Sequence, residues 1–90
     1  MTESAHSAHS AHIDLSGPAN EVVGAVWAEV LGEGTVDREV GFFDLGGSSM
    51  HVLQVVERLR VRWPGLRSVD LFLYPTVNSL AEFLEGKPAV

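Results

Sequence analysis

The spacing of apolar residues predicts a first helix that begins between Gly17 and Asn20 and runs to about Leu31. Pro18 suits the first turn, Asn20 is a candidate cap, and the Gly-Glu-Gly sequence that starts at Gly32 ends the helix. On a wheel of about 100° per residue, one face is apolar: Val22, Val23, Val26 and Val30, with Trp27 at its edge. The opposite face carries Glu21, Gly24 and Ala28. The pattern is typical of an amphipathic helix with a core-facing stripe.

Residues 32–47 show neither helical nor strand periodicity and are rich in glycine, so they are predicted to form a loop between helices. A loop of this length in a small domain is usually functional or held in place by its own side chains. Phe42, Phe43 and Leu45 are the predicted anchors of this loop.

A second helix is predicted over residues 49–62, ending at Trp63 because Pro64 disfavours helical geometry in the residue before it. Its core-facing residues are Val52 and four residues that lie within about 60° of it on the wheel: Val55, Val56, Leu59 and Trp63. Met50 and Leu53 fall off this stripe and are predicted to be partly exposed.

The sequence "SVDLFLYPT" allows one short helical turn, capped by Ser68 and ended by Pro75. The last helix should begin at the cap Thr76 and end before Gly86. It should bury Val77, Leu80, Ala81 and Leu84. No segment alternates as a strand does, so little or no sheet is expected. The predicted fold is all-α, a small bundle of three principal helices plus one short helix.

Terminal segments flank this domain, which should comprise residues 17–86. Residues 1–16 contain a threefold Ser-Ala-His repeat with little apolar content and are predicted to be a disordered tail, and residues 87–90 form a C-terminal tail. His6, His9 and His12 are spaced three apart, but nothing around them supplies the fixed geometry of a metal site. We therefore expect no metal.

Composition fits one small globular domain, with 46% hydrophobic and 20% charged residues in 90. The longest apolar runs are too short to span a bilayer, and no basic segment precedes an apolar block at the start of the chain. We expect a cytoplasmic protein, and the absence of cysteine agrees with that. The formal charge of −6 argues against a nucleic-acid partner and favours enzymes with basic docking surfaces.

Ser48 and Ser49 lie where the Gly46-Gly47 loop meets the second helix, so at least one hydroxyl should cap that helix. A helix N-terminus offers free N–H groups and the positive end of the dipole, which favour a phosphate ester attached there. The paired glycines give backbone freedom and leave an approaching enzyme unobstructed. An exposed serine at this position is a good acceptor for modification.

A catalytic serine is the alternative, and it needs a base, a group that orients the base, and oxyanion donors. His51 is the only nearby base and should point away from Ser49 on a helix. The sequence "GGSSM" also lacks the Gly-x-Ser-x-Gly pattern. We do not expect an enzyme. For the serine alone, an ordinary N-cap after a glycine-rich loop is the simplest explanation.

Two sequences, "FFDLGGSSM" and "LFLYPTVNSLAEFL", together resemble peptidyl carrier proteins, the thiolation domains of nonribosomal peptide synthetases within the acyl carrier protein superfamily. The resemblance covers residues 22–84 and implies an acyl-carrier-like bundle. In that family the serine followed by Leu or Met is esterified with 4′-phosphopantetheine, and here that serine is Ser49. Ser48 then occupies a variable position that is often His or Asp in relatives.

The resemblance implies a free-standing, monomeric carrier of aminoacyl or acyl thioesters in a natural-product pathway, such as antibiotic biosynthesis. A phosphopantetheinyl transferase with Mg²⁺ would attach the arm from coenzyme A. An adenylation enzyme would load it, and condensation or tailoring enzymes would follow. Met50 and Leu53 are the expected contact patch for these partners.

This chain departs from the family at Val40, where relatives often have an acidic residue, and at Ser48. Its second helix carries Arg58, Arg60 and Arg62, whereas fatty-acid carriers tend to be acidic there. These arginines could form a docking face. Arginines spaced in this way more often form a solvated helix surface that complements the helix dipole. The alternatives left open are a polyketide or fatty-acyl carrier and a helical interaction module without cofactor.

Overall fold

The computed structural model describes residues 15–86, which fold into four helices: α1 (Ala19–Leu31), α2 (Ser49–Leu59), α3 (Ser68–Leu73) and α4 (Val77–Glu85). No strand occurs within these residues. α1 packs against α2 and α4, and α3 packs against α2. The predicted bundle of three principal helices and one short helix is confirmed. The predicted tails over residues 1–14 and 87–90 lie outside the described residues, and Leu15 is half-buried against the core.

α1 begins at Ala19, within the predicted range, but its cap differs from the prediction. Pro18 occupies the N-cap position with φ −63° and ψ 141°, and its carbonyl accepts hydrogen bonds from the N–H groups of Glu21 and Val22, both at 3.1 Å. Proline has the required φ built in, so the helix begins directly after it. Asn20 is the second residue of the helix, and its prediction as the cap was wrong.

The end of α1 is a glycine-terminated motif, as predicted. Gly32 adopts φ 74°, a left-handed conformation that glycine reaches without steric cost. The N–H of Gly32 donates to the carbonyl of Glu29, and the N–H of Glu33 donates to the carbonyl of Ala28 at 2.9 Å. These bonds satisfy carbonyls that the helix itself leaves free.

The buried face of α1 is wider than the predicted stripe. Ala28 is buried, although the wheel placed it opposite the core, and Val30 is only half-buried. The reason is that α1 contacts α2 on one side and α4 on the other. A central helix with two neighbours buries more than the single stripe of a surface helix.

The core-facing residues of α2 are confirmed, because all five predicted side chains are buried: Val52, Val55, Val56, Leu59 and Trp63. The helix ends at Leu59, three residues earlier than predicted, and a turn follows. Arg62 in this turn is half-buried and is bonded to the segment before α1. Its Nη1 donates to the carbonyls of Leu15 and Gly17, both at 2.7 Å, and its guanidinium lies 4.3 Å from the centroid of the Trp63 ring.

The loop between α1 and α2 is held to the bundle by Phe42. Its ring is fully buried and meets Trp27 edge to face, with centroids 4.7 Å apart. Its N–H donates to the carbonyl of Pro75 at 2.7 Å, and the carbonyl of Arg38 accepts from the N–H of Asn78 at 3.1 Å. The loop is therefore fixed to the start of α4 as well as to α1.

The other two predicted anchors contribute less. Leu45 is half-buried against the core. Phe43 remains 40% exposed and stacks on Phe72 at a centroid distance of 5.3 Å, so it holds the loop to α3 at the surface and not in the core. Once the Phe42 side chain enters the core, its neighbour in this turn is directed to the surface.

The cap of α4 is confirmed, whereas the cap of α3 is displaced by one residue. Thr76 Oγ1 accepts from the N–H of Ser79 at 3.0 Å. All four residues predicted to be buried by α4 are buried: Val77, Leu80, Ala81 and Leu84. At α3, Arg67 is the N-cap residue and Ser68 is the first helical residue. The buried carboxylate of Asp70 accepts from the Arg67 N–H at 2.8 Å, so it does the capping that was assigned to Ser68.

Gly47 is packed directly against Phe42. A Cβ at this position would overlap the ring carbon Cε2 of Phe42 and lie 2.8 Å from its carbonyl oxygen. A Cβ on Gly34, in the same loop, would meet no atom within 4 Å. The length and hydropathy of the helices over residues 15–86 leave none that could cross a membrane.

Replacing Gly47→Ala should therefore lower the free energy of unfolding by about 1–3 kcal/mol, the usual cost of overpacking. Urea unfolding followed by tryptophan fluorescence measures this loss. Gly34→Ala is the matched control and should change stability by no more than about 0.5 kcal/mol. Equal stability of the two variants would contradict the packing described for Gly47.

Candidate functional site

The turn that leads into α2 is built from backbone hydrogen bonds. The N–H of Gly47 donates to the carbonyl of Phe42 at 3.0 Å, and the N–H of Leu45 donates to the carbonyl of Gly41 at 3.0 Å. Gly46 adopts φ 97°, which a residue with a Cβ rarely reaches. The paired glycines thus meet two separate demands. Gly46 provides the turn, and Gly47 allows the close approach to Phe42.

Ser48 is the N-cap of α2, in an extended conformation with φ −125° and ψ 175°. Its Oγ accepts from the N–H of His51 at 3.4 Å, and its own N–H donates to Nδ1 of His51 at 3.0 Å. This is a capping box in which histidine takes the place usually held by Glu or Gln. The prediction that at least one of the two serines caps the helix is confirmed.

Ser49 is the first residue of α2 and is exposed. Its hydroxyl forms no hydrogen bond within residues 15–86, and neither do the N–H groups of Ser49 and Met50. Two free N–H groups at the positive end of a helix dipole favour a negatively charged group on the adjacent oxygen. The site can therefore accept a phosphate ester with little rearrangement.

The ring of His51 is engaged with Ser48 rather than with Ser49. Nδ1 lies 3.1 Å from Ser48 Oγ and accepts the Ser48 N–H. A general base for Ser49 needs a ring nitrogen within hydrogen-bond reach of its hydroxyl, and the hydroxyl has no partner in the described residues. No base in residues 15–86 is therefore in place to activate the Ser49 hydroxyl.

Exposed apolar side chains follow Ser49 on α2 and also occur on the loop that precedes it. Met50 and Leu53, predicted to be off the core stripe, are 65% and 57% exposed. Phe43 on the preceding loop stacks on Phe72 of α3, which is 52% exposed. We call these four residues the apolar surface. Large apolar groups left together in water are typical of interaction sites.

Sequence reasoning missed two features of this site. The role of His51 in the cap was detectable from its position three residues after Ser48, which is the capping-box spacing. The exposure of Phe72 was detectable from the composition of α3, because a six-residue helix cannot bury four large apolar residues on one face. Its stacking on Phe43 depends on tertiary structure and has no sequence signal.

Comparison with known proteins identifies the family of this chain. A family model described as "Phosphopantetheine attachment site" matches residues 21–84. A plipastatin synthase polypeptide of Bacillus subtilis is 32% identical over 79 residues, which cover 88% of this chain and 2% of that protein. The chain thus spans a very small part of this relative.

Solved structures share the fold. BlmI, a type-II acyl carrier protein from Streptomyces verticillus involved in bleomycin biosynthesis, matches with a TM-score of 0.70 and 26% identity over 74% of this chain and 82% of that chain. A nonribosomal PCP domain matches with a TM-score of 0.66 and 35% identity over 79% of this chain and 92% of that chain.

The matched residues contain the turn, the capped start of α2 and the apolar surface described above. The chain therefore belongs to the phosphopantetheine attachment site family and is a carrier protein of the nonribosomal peptide synthetase type, a class that bears 4′-phosphopantetheine covalently on a serine.

Proposed function

We propose that Ser49 is the residue that receives 4′-phosphopantetheine, and that the chain carries aminoacyl or acyl thioesters between enzymes of a nonribosomal peptide pathway. The observation that carries the assignment is the contrast between the two serines. The Ser48 side chain and N–H are bonded within the cap, whereas the Ser49 hydroxyl is exposed and without a partner in residues 15–86.

Attachment is a phosphoryl transfer from coenzyme A. The Ser49 oxygen forms a bond to the phosphorus that bears the pantetheine, and the bond from that phosphorus to adenosine 3′,5′-bisphosphate breaks. The serine proton passes to a base of the transferase, with Mg²⁺ held by that enzyme. The chain itself contributes an unobstructed oxygen and the helix N-terminus that stabilises the new phosphodiester. Once attached, the arm supplies the thiol on which an acyl group is held.

Partner recognition is proposed to use the apolar surface. Carrier domains of this type work with adenylation and condensation enzymes, and each partner must reach the arm at Ser49. The residues of α2 from Ser49 to Gln54 include no Asp, Glu, Lys or Arg. Contact near the arm is therefore apolar, with Met50 and Leu53 closest to Ser49 along α2. The expected interfaces are small and transient.

We further propose that the chain works as a separate protein in the cytoplasm, loaded and unloaded in trans. BlmI, which covers 74% of this chain, is described as a type-II carrier. A fatty-acyl role is less well supported, because the only acidic residue of α2 is Glu57 and Arg58 is next to it. Incubating the arm-bearing protein with an amino-acid-activating enzyme and ATP distinguishes an aminoacyl carrier, which should be loaded, from a fatty-acyl carrier, which should not.

Incubation with coenzyme A, Mg²⁺ and a broad-specificity phosphopantetheinyl transferase should add one phosphopantetheine to the protein. Intact-mass spectrometry measures the addition, and fragmentation should locate it at Ser49. Ser49→Ala should stay at unchanged mass, because the acceptor oxygen is gone.

Two variants at Ser48 serve as controls. Ser48→Ala should still be modified, although loss of the cap should cost about 1 kcal/mol of stability. Ser48→Asp keeps a cap oxygen and should be modified at nearly the native stability. Modification that persists in Ser49→Ala, or that disappears in Ser48→Asp, would refute the assignment, and an unmodified native chain would favour a cofactor-free interaction module.

Met50→Glu should reduce kcat/KM for loading by the adenylating partner about tenfold or more, mainly through KM, because an apolar contact is replaced by a charge. The fold should be retained, since Met50 is 65% exposed and a carboxylate suits the first turn of a helix. Circular dichroism and steady-state loading kinetics measure the two effects.

Met50→Gln tests whether the loss comes from the missing apolar contact, because it is similar in length and uncharged. It should also weaken loading. Val61→Glu is the control for net charge, since Val61 is exposed but lies beyond the far end of α2. Unfolding of Met50→Glu, or equal kinetics of Met50→Glu and Val61→Glu, would argue against Met50 as a contact residue.

A further inference from the structure

We propose that His51 is a positioning residue for Ser49. The neutral imidazole holds the first turn of α2 and thereby fixes where the Ser49 hydroxyl projects, and protonation of the ring releases this turn. The inference rests on the proposed attachment at Ser49 and adds a pH dependence to it.

The hydrogen bonds define the state of the ring. The Ser48 N–H can only donate, and it points to Nδ1 of His51 at 3.0 Å. Nδ1 must therefore present a lone pair, which places the ring proton of the neutral imidazole on Nε2. The Ser48 hydroxyl, 3.1 Å from Nδ1, can donate to the same nitrogen. One ring atom thus restrains both the backbone and the side chain of the cap residue.

The restraint passes to Ser49 through the backbone. Ser48 is the last extended residue, with ψ 175°, and Ser49 is the first helical one. The Ser49 side chain has no hydrogen bond of its own within residues 15–86. The peptide unit that Ser48 and His51 hold therefore sets the direction of the Ser49 Cα–Cβ bond, about which the hydroxyl rotates. Loosening that unit spreads the hydroxyl over several directions, which lowers the fraction in the geometry that a transferase needs.

Protonation of Nδ1 opposes this arrangement in two ways. A protonated Nδ1 presents its own N–H toward the Ser48 N–H, so two donors face each other and that hydrogen bond is lost. The imidazolium also places a positive charge in the first turn of α2, at the positive end of the helix dipole. Only the Ser48 hydroxyl remains as an acceptor for the ring.

No acidic group within residues 15–86 is paired with the His51 ring. The ring forms no ion pair with the charged groups of α2 and of the elements around it, which are Glu57 and Arg58 on α2, Glu33, Asp37, Arg38, Glu39 and Asp44 in the loop, Glu21 and Glu29 on α1, Arg67 before α3 and Asp70 on α3. Asp70 is instead bonded to the Arg67 N–H. Protonation therefore removes contacts without forming an ion pair in exchange.

The kinetic test compares the native chain with His51→Gln at about pH 7.5 and at about pH 5.5, because histidine is the side chain that most often changes its charge near neutral pH. Glutamine keeps an acceptor for the Ser48 N–H and does not titrate. The measured quantity is the ratio of two initial rates of arm transfer from coenzyme A, that of the native chain and that of His51→Gln at the same pH. The pH dependence of the transferase itself cancels in this ratio. This ratio should fall about fivefold on acidification, because the free energy lost with a typical N-cap corresponds to about a fivefold change in an equilibrium.

His51→Ala removes the acceptor and should be slow relative to His51→Gln at both pH values. The loss should appear in kcat/KM for the carrier, and glutamine should restore it. A rate ratio that stays constant with pH would overturn the proposal. So would a His51→Ala chain that is modified as fast as His51→Gln.

A second measurement does not require modification. In ¹⁵N-labelled protein, the amide of Ser48 should shift and lose protection from hydrogen exchange as the native chain is acidified, while His51→Gln should retain both. Amides of α4, far along the chain, report whether the fold is kept. A native chain that is never modified but shows this Ser48 response would refute the attachment at Ser49, whereas the pH-dependent capping by His51 would be supported. If the Ser48 amide does not change with pH, the proposed release of the first turn by protonation of His51 is refuted, even if Ser49 is modified.

Discussion

The burial of one aromatic ring determines the geometry on which the site depends. Phe42 enters the core against Trp27, its N–H is bonded to Pro75, and its carbonyl accepts from Gly47. These contacts connect the loop to α1, to the start of α4 and to the residue before the cap of α2. A long loop would otherwise leave the start of α2 mobile. Because Phe42 is fixed on three sides, the serine that follows the turn has a defined position at the surface.

Two adjacent serines have different roles because they lie on opposite sides of a helix boundary. The residue before the first helical turn is extended, so the Ser48 side chain can fold back onto the N–H of His51. The next residue is helical, and its side chain cannot reach the same groups. Ser49 therefore keeps its hydroxyl free. The distinction needs no difference in side-chain chemistry, and a shift of the boundary by one residue would exchange the two roles.

The sequence predicted features that depend on local periodicity and missed those that depend on neighbours. The stripes of α2 and α4 and the Thr76 cap follow from side-chain spacing, and all were confirmed. Ala28 was misassigned because its burial depends on which elements pack beside α1. The cap of α3 lies at Arg67 and not at Ser68, because the Asp70 carboxylate accepts from the Arg67 N–H and completes a capping box there. The position of Ser49 at the start of α2 was predictable, whereas the involvement of Arg62 with the carbonyls of Leu15 and Gly17 was not.

The two ends of α2 differ in their charged side chains. Residues 58–67 contain four arginines and no acidic residue, although the whole chain carries a formal charge of −6. Around Ser49, in contrast, the first two turns of α2 contain His51 as their only ionisable side chain. Recognition near the arm must then depend on shape and apolar contact, which salt screens little. A change in the protonation of His51 would alter local charge and helix capping together, so this one side chain connects the electrostatics of the site with its geometry.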